Sequence, residues 1–169
     1  KKDPQGRPTV FDKLPALKHG RWISIGRLDF NTTGLLLFTT DGDIANQLTH
    51  PSSMIEREYA VRVMGGVDPN MVRNMYDGVT IDSAVYRFTD IQYFGGEGLN
   101  RWYHVVVMTG RNREVRKLWE SQGMKVSRLK RVRFGPIFMP STLRRGQFQE
   151  LSRKEIEKLL RSIKSEVRI

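Results

Sequence analysis

The sequence predicts an α+β fold, a mixed, mainly antiparallel sheet with flanking helices. Two segments, Glu58–Met64 and Val126–Phe134, alternate with the period of a strand. The run Gly95-Gly96-Glu97-Gly98 separates two β-rich stretches in the manner of a hairpin turn. Helix-start signals at Asp68-Pro69 and at Ser152 with Glu155 insert helices among and after these strands.

Pro8–Leu14 reads as one helical turn, and Trp22–Ile25 as a short buried strand. Gly26–Gly34 (GRLDFNTTG) is a loop by composition, two glycines bracketing Asp, Asn and two Thr. Leu35–Thr40 is an apolar strand, Asp41-Gly42 a turn, and Asp43–Leu48 a short helix that ends before His50-Pro51. In Glu58–Met64, Tyr59, Val61 and Val63 share one face. Asp68 caps a helix with Pro69 at its first position, which runs to about Tyr76 and stops at Asp77-Gly78. Val79–Ile81, Val85–Phe94 and the Val-rich Trp102–Met108 read as strands, and Thr109–Asn112 turns the chain. Glu114–Gln122 is a helix with Val115, Leu118 and Trp119 on its inner stripe, closed by Gly123.

Strict alternation in Val126–Phe134 puts Val126, Arg128, Lys130 and Val132 on one face and Ser127, Leu129, Arg131 and Arg133 on the other. Neither face is cleanly apolar, so at least one meets solvent or a charged partner. Gly135–Gly146 is irregular and Gln147–Leu151 a short strand. Ser152–Lys164 is a helix with a capping box, whose stripe Ile156, Leu159, Leu160 and Ile163 packs on the domain.

Charge narrows the partners. The chain has 169 residues, 29 Lys+Arg against 18 Asp+Glu and a net charge of +11. Residues 101–134 hold ten of the basic and only two of the acidic side chains, whereas residues 21–100 are mildly acidic. Such concentration favours a polyanion, nucleic acid first. An anionic membrane needs a basic amphipathic helix, and the basic segment reads as strand, helix and strand instead. No apolar run has membrane-spanning length, and Lys1–Pro8 is polar without an apolar signal core. The absence of cysteine excludes disulfides, thiolate zinc sites and cysteine nucleophiles, and is compatible with the cytoplasm as the expected compartment.

Common enzyme signatures are missing. There is no phosphate-binding Gly-rich loop, no nucleophile elbow, and no metal spacing among His19, His50 and His104. What remains is Asp29 in its glycine-bracketed loop and the basic segment Gly110–Arg116 (GRNREVR). Spacing alone favours Asp29 as a turn residue capping its own backbone, and the arginines as a solvated face.

The order of motifs points further. Gly26-Arg27-Leu28-Asp29, with Thr33-Gly34-Leu35-Leu36 and Thr40-Asp41-Gly42, then Arg57-Glu58-Tyr59, then Gly110–Arg116, resembles the catalytic-aspartate, tyrosine and basic motifs of the RsuA-type pseudouridine synthases. The likeness covers roughly residues 3–151 and includes Pro8–Leu14, Gly95–Asn100 and Arg128–Arg131. Family members carry a small N-terminal RNA-binding domain, a Lys-Pro motif and a first strand that this sequence lacks. Residues 1–169 are therefore expected to be one catalytic domain, with two sub-lobes around a central cleft.

The resemblance implies isomerisation of a uridine in a stem-loop of large-subunit ribosomal RNA by a monomer, with no metal and no small-molecule cofactor. It makes Asp29 the nucleophile or base that starts glycosidic cleavage. Tyr59 stacks on the flipped uracil and is a candidate for the later proton removal. Arg116 is the cation that keeps Asp29 charged, since an unpaired buried charge is costly. Arg27 fills the gap left by the flipped base or holds the adjacent phosphate. Arg111, Arg113, Lys130 and Arg131 hold the RNA backbone, and Leu118 or Leu129 walls the pocket. The competing expectation is a non-catalytic RNA-binding ribosome-assembly factor on the same fold, with a peripheral membrane protein a distant third.

Overall fold

The structure, a computed structural model, describes residues 5–6 and 9–164. In chain order its elements are β1 (Ile23–Ile25), β2 (Thr33–Gly34), β3 (Leu37–Thr39), α1 (Gly42–Thr49), β4 (Arg57–Met64), α2 (Pro69–Asp77), β5 (Val79–Ile81), β6 (Ala84–Tyr86), β7 (Asp90–Tyr93), β8 (Asn100–Val107), α3 (Glu114–Ser121), β9 (Lys125–Phe134), β10 (Ile137–Phe138) and α4 (Arg153–Lys164). The predicted first helical turn is a 3-10 turn over Val10–Lys13, with Pro8 outside the described residues.

The main sheet runs β10-β9-β4-β8-β7, and its neighbours along that order are antiparallel. β2 adds to β9 in parallel, Thr33 facing Lys130 and Gly34 facing Arg131. β1–β3 and β5–β6 form two small antiparallel pairs. This is the α+β, antiparallel-dominated architecture that the sequence predicts. Among the described residues, no helix is long and apolar enough to cross a membrane.

Two clusters of buried side chains hold these layers. The first places Val61, Val63, Val105 and Val107 of the sheet against Met75 of α2 and Leu118 and Trp119 of α3. The second gathers Ile25, Leu37 and Leu48 with Phe134, Ile137 and Leu159. Each fully buried large apolar side chain contributes about 1.5–3 kcal/mol. The capping box of α4 is present, Ser152 N donating to Glu155 Oε1 at 3.0 Å and Glu155 N to Ser152 Oγ at 3.2 Å. Leu159 of its predicted stripe is buried, while Ile156 is exposed.

Four departures from the sequence-based reading have local causes. Leu35–Thr40 shortens to β3 because the Leu35 N–H donates to the Arg131 carbonyl at 2.8 Å. Val85–Phe94 splits into β6 and β7, since Phe88 turns fully into the core and its N–H bonds the Met75 carbonyl at 2.9 Å. Gln147–Leu151 is no strand; the Gln147 N–H closes a turn on the Arg144 carbonyl. In β9 the strict alternation fails twice. Register shifts against β4 fall between Glu58 and Tyr59 and between Arg62 and Val63. Each bulge adds one residue and flips the facing of the residues beyond it. Val126 thereby joins Leu129, Arg131 and Phe134 in the interior, and Arg128 and Lys130 stay outside.

Gly34 is fixed by close approach. It has φ +109°, and a Cβ there would sit 2.1 Å from the Arg131 carbonyl oxygen. Only glycine lets β2 lie against β9 at this point, so the 26–34 loop is pinned to the sheet.

Candidate active site

A cavity of about 140 Å³ opens where the loop 26–32, the start of β4, the start of α3 and the second half of β9 converge. Its lining draws on both apolar clusters, Val115 and Leu129 from the first and Phe134 from the second.

Asp29 lines it. The turn around Asp29 is closed by backbone, the Thr32 N–H donating to the Asp29 carbonyl at 2.9 Å. The Asp29 carboxylate itself accepts no hydrogen bond and forms no ion pair among the described residues. Asp41 shows what a capping aspartate does, since its Oδ1 accepts from Asp43 N at 2.9 Å and Ile44 N at 3.2 Å. The backbone-capping reading of Asp29 therefore falls, and its side chain is left to the pocket.

Tyr59 reaches the same cavity from the interior face of β4, as its alternation with Val61 and Val63 predicts. Burial pushes its phenol above the usual value, and the nearby Arg131 guanidinium draws it partly back. Arg131 is 4% exposed. Its Nε donates to the Leu35 carbonyl at 2.8 Å, and its Nη2 has no partner among the described residues. Arg57 lies beside it, donating from Nη1 to the carbonyls of Ile55 at 2.6 Å and Met108 at 3.2 Å. Both guanidiniums sit over the Phe134 ring, at 5.2 and 5.6 Å from its centroid. Burial lowers the Arg57 pKa, which Tyr59 and Glu114 oppose and Arg131 reinforces.

The exposed Arg27, Arg111 and Arg113 line the mouth. Arg111 is already engaged, bonding the Val85 carbonyl at 2.5 Å and lying 4.8 Å from the Tyr86 ring centroid. Arg113 adopts the left-handed conformation, φ 54°, just before α3. A non-glycine residue there stores backbone strain, a recurrent feature of functional loops.

Three predicted site residues lie elsewhere. Arg116 is buried behind the loop, its Nη2 donating to the Asn31 carbonyl at 2.8 Å. It is absent from the cavity lining, yet it feels the Asp29 charge. Burial and Arg113 lower its pKa, while Asp29 and Glu120 raise it. Leu118 is fully buried in the first cluster, one helical turn deeper than Val115, which lines the cavity in its place. Lys130 is exposed on the face of β9 opposite to Arg131, because neighbouring strand residues point to opposite sides. Leu129 does line the cavity.

Two residues of the site escape sequence reasoning. Arg57 stands out there only as part of a motif. Glu114 is a 7% exposed acid within the basic segment. The Thr109 hydroxyl donates to its Oε2 at 2.6 Å. Burial raises its carboxyl from 4.5 to about 7, opposed by the Thr109 hydrogen bond and by Arg57 and Arg111. A signal for it exists, a lone acid amid four basic residues in Gly110–Lys117. No cluster of metal-binding side chains occurs among the described residues.

Residues 2–121 match the family model described as RNA pseudouridylate synthase. The chain is similar to the ribosomal large subunit pseudouridine synthase B of Pseudomonas aeruginosa, 61% identical over 92% of this chain and 40% of that protein. The protein of the same name from Vibrio cholerae is 58% identical over 93% of this chain and 49% of its own length. The chain thus spans about half the length, or less, of these curated relatives. A crystal structure of a pseudouridylate synthase superposes with a TM-score of 0.79 at 27% identity, covering 90% of this chain and 65% of that one. An H/ACA RNP structure bound to a substrate RNA containing 2'-deoxyuridine shares the fold, with a TM-score of 0.56 at 18% identity over 79% of this chain and 43% of that one.

Proposed function

The chain belongs to the RNA pseudouridylate synthase family, and from that premise we propose that it converts one uridine of large-subunit ribosomal RNA to pseudouridine. The names of its relatives support the substrate, and the Asp29 pocket supports the chemistry. We take it to act in the cytoplasm, as a monomeric catalytic domain on a stem-loop.

In this reading the uridine leaves its stack and enters the cavity, at a cost of a few kcal/mol. Stacking on Tyr59 returns about 1–3 kcal/mol. Asp29, unpartnered in the free enzyme, acts as nucleophile or base to break the glycosidic bond. Arg131 lines the floor of the same cavity, and the Arg116 guanidinium behind the loop interacts with the Asp29 charge. The base turns and rejoins the sugar through carbon; the proton on that carbon leaves by way of Tyr59, whose hydroxyl passes its own proton on, and the ring nitrogen freed from the sugar gains a proton. The overall change is an isomerisation, with no atoms gained or lost. Arg27 fills the vacated stack or holds the neighbouring phosphate. Arg111 and Arg113 hold the backbone at the mouth.

The observation that carries this reading is the uncommitted carboxylate of Asp29 in a cavity that Tyr59 and the buried guanidinium groups of Arg57 and Arg131 also line. A pure RNA binder gains nothing from an acid that repels phosphate, which disfavours the assembly-factor alternative. Asp29→Asn is expected to abolish pseudouridine formation in unmodified ribosomal RNA while leaving RNA affinity within a few-fold. Product formed by that variant overturns the mechanism.

A further inference from the structure

The main sheet has a second face, turned away from α2, α3 and the pocket. Between the two bulges of β9, Arg128 and Lys130 project from it. The register sets Arg128 directly opposite Arg62 of β4, and Arg62 opposite Trp102 of β8. Phe94 continues this row beyond Trp102, its N–H bonded to the Trp102 carbonyl at 2.8 Å. At about 4.8 Å between strands, the row Arg128, Arg62, Trp102, Phe94 crosses about 14 Å of sheet. Lys130 stands on the next row, opposite Ala60, with His104 on the strand beyond.

Like charges directly opposite each other destabilise a strand pair. Here Arg62 faces Arg128, and no acidic group among the described residues pairs with either, or with Lys130 or Lys125. The acids of this face are spent at its other end, where Glu58 binds His104 at 3.2 Å and Arg133 at 3.2 Å, and Glu56 binds Arg133 at 3.0 Å. Aromatic surfaces complete the row. Arg62 lies 5.8 Å from the Trp102 ring centroid, and Phe94, 62% exposed, stacks on His104 at 4.0 Å. Uncompensated cations beside exposed rings on an open sheet suit phosphates and unstacked bases together.

We propose that this open sheet face is a second RNA-binding surface, holding a single-stranded segment by its phosphates on Arg62, Arg128 and Lys130 and stacking a base on Phe94. It rests on the reading that RNA is the substrate, and it gives Lys130 a role that the pocket does not. An RNA gripped on both faces wraps the edge of the domain, so the unstructured flank of the target enters recognition.

The probe is an adenosine oligonucleotide, free of uridine, titrated against this chain at several salt concentrations. Arg128→Glu with Lys130→Glu is expected to weaken its binding at least about tenfold at low salt, and to flatten the log–log salt slope by about 1.4, near 0.7 per lost phosphate contact. The same double variant should melt no lower than the parent, because a glutamate opposite Arg62 replaces a like charge. Phe94→Ala is expected to weaken binding about fivefold or more. Asp29→Asn should bind this oligonucleotide normally and fail only to make product from ribosomal RNA, so a failure of the catalytic reading is distinguishable. Unchanged affinity and slope in the double variant overturn the proposal. So does a change in sedimentation without a change in RNA affinity, which assigns the face to a second copy. Should the double variant unfold, Phe94→Ala decides alone, and unchanged affinity there overturns the proposal.

Discussion

Replacing Glu114 by Gln tests what the pocket does to its buried acid. The carboxyl titrates at about 7 in the folded protein and at the ordinary 4.5 in the unfolded chain. Between these values the folded state keeps a proton that the unfolded state has released. Stability therefore falls as pH rises through that window, because the unfolded state binds fewer protons there. At 1.36 kcal/mol per pH unit the whole span amounts to about 3 kcal/mol. Glu114→Gln preserves the shape and an acceptor for the Thr109 hydroxyl, and abolishes the titration. Other titrating groups cancel when variant and parent are subtracted. The stability of the variant minus that of the parent is expected to climb by about 2–3 kcal/mol between about pH 5 and pH 8, and to be level below about pH 4. Urea unfolding followed by tryptophan fluorescence in stepped buffers reads this directly. A difference independent of pH refutes the burial argument and the placement of Glu114 in the pocket wall.

Other perturbations separate chemistry from architecture. Tyr59→Phe is expected to keep RNA affinity and slow turnover; an unaltered single-turnover rate removes the hydroxyl from the proton step. Gly34→Ala drives a methyl into the Arg131 carbonyl, and should cost about 3 kcal/mol or more of stability together with activity, seen as a lowered urea midpoint. A midpoint within error of the parent shows that β2 does not need this contact. Arg113→Gly relieves a left-handed residue and should stabilise the fold by about 1 kcal/mol, while flattening the salt slope of RNA binding by about 0.7. A stabilised variant with an unchanged slope places Arg113 off the RNA.

The sheet and most helices were legible because their signals are local. Asp68-Pro69 and Ser152 with Glu155 announce helix starts from neighbouring residues alone, and Val61 and Val63 announce an inner face by spacing. The bulges in β9 were not legible, since an extra residue leaves no mark in a run where both faces mix cations with apolar groups. Val126 and Phe134 are drawn inward by packing partners distant in sequence. The same limit applies to the site. Motif order led to Asp29, Tyr59 and the arginines, but proximity in sequence does not say which guanidinium looks into a cavity. Arg116 shares a motif with Arg113 yet faces the back of the loop, because α3 turns it about 100° per residue away from the mouth. Arg131 reaches the floor only through the strand register that also sends Lys130 to the far side.

The pinning of the 26–34 segment orders the events of folding. The anchor of this early loop is Arg131, which binds the Leu35 carbonyl across 96 residues of chain. Closing so large a circuit carries an entropy cost that nearby contacts do not. On a translating ribosome, a chain paused before residue 131 has already made Asp29 and Tyr59 but has no partner to set the aspartate's loop. The loop that carries Asp29 can thus be fixed in place only once residue 131 has been made.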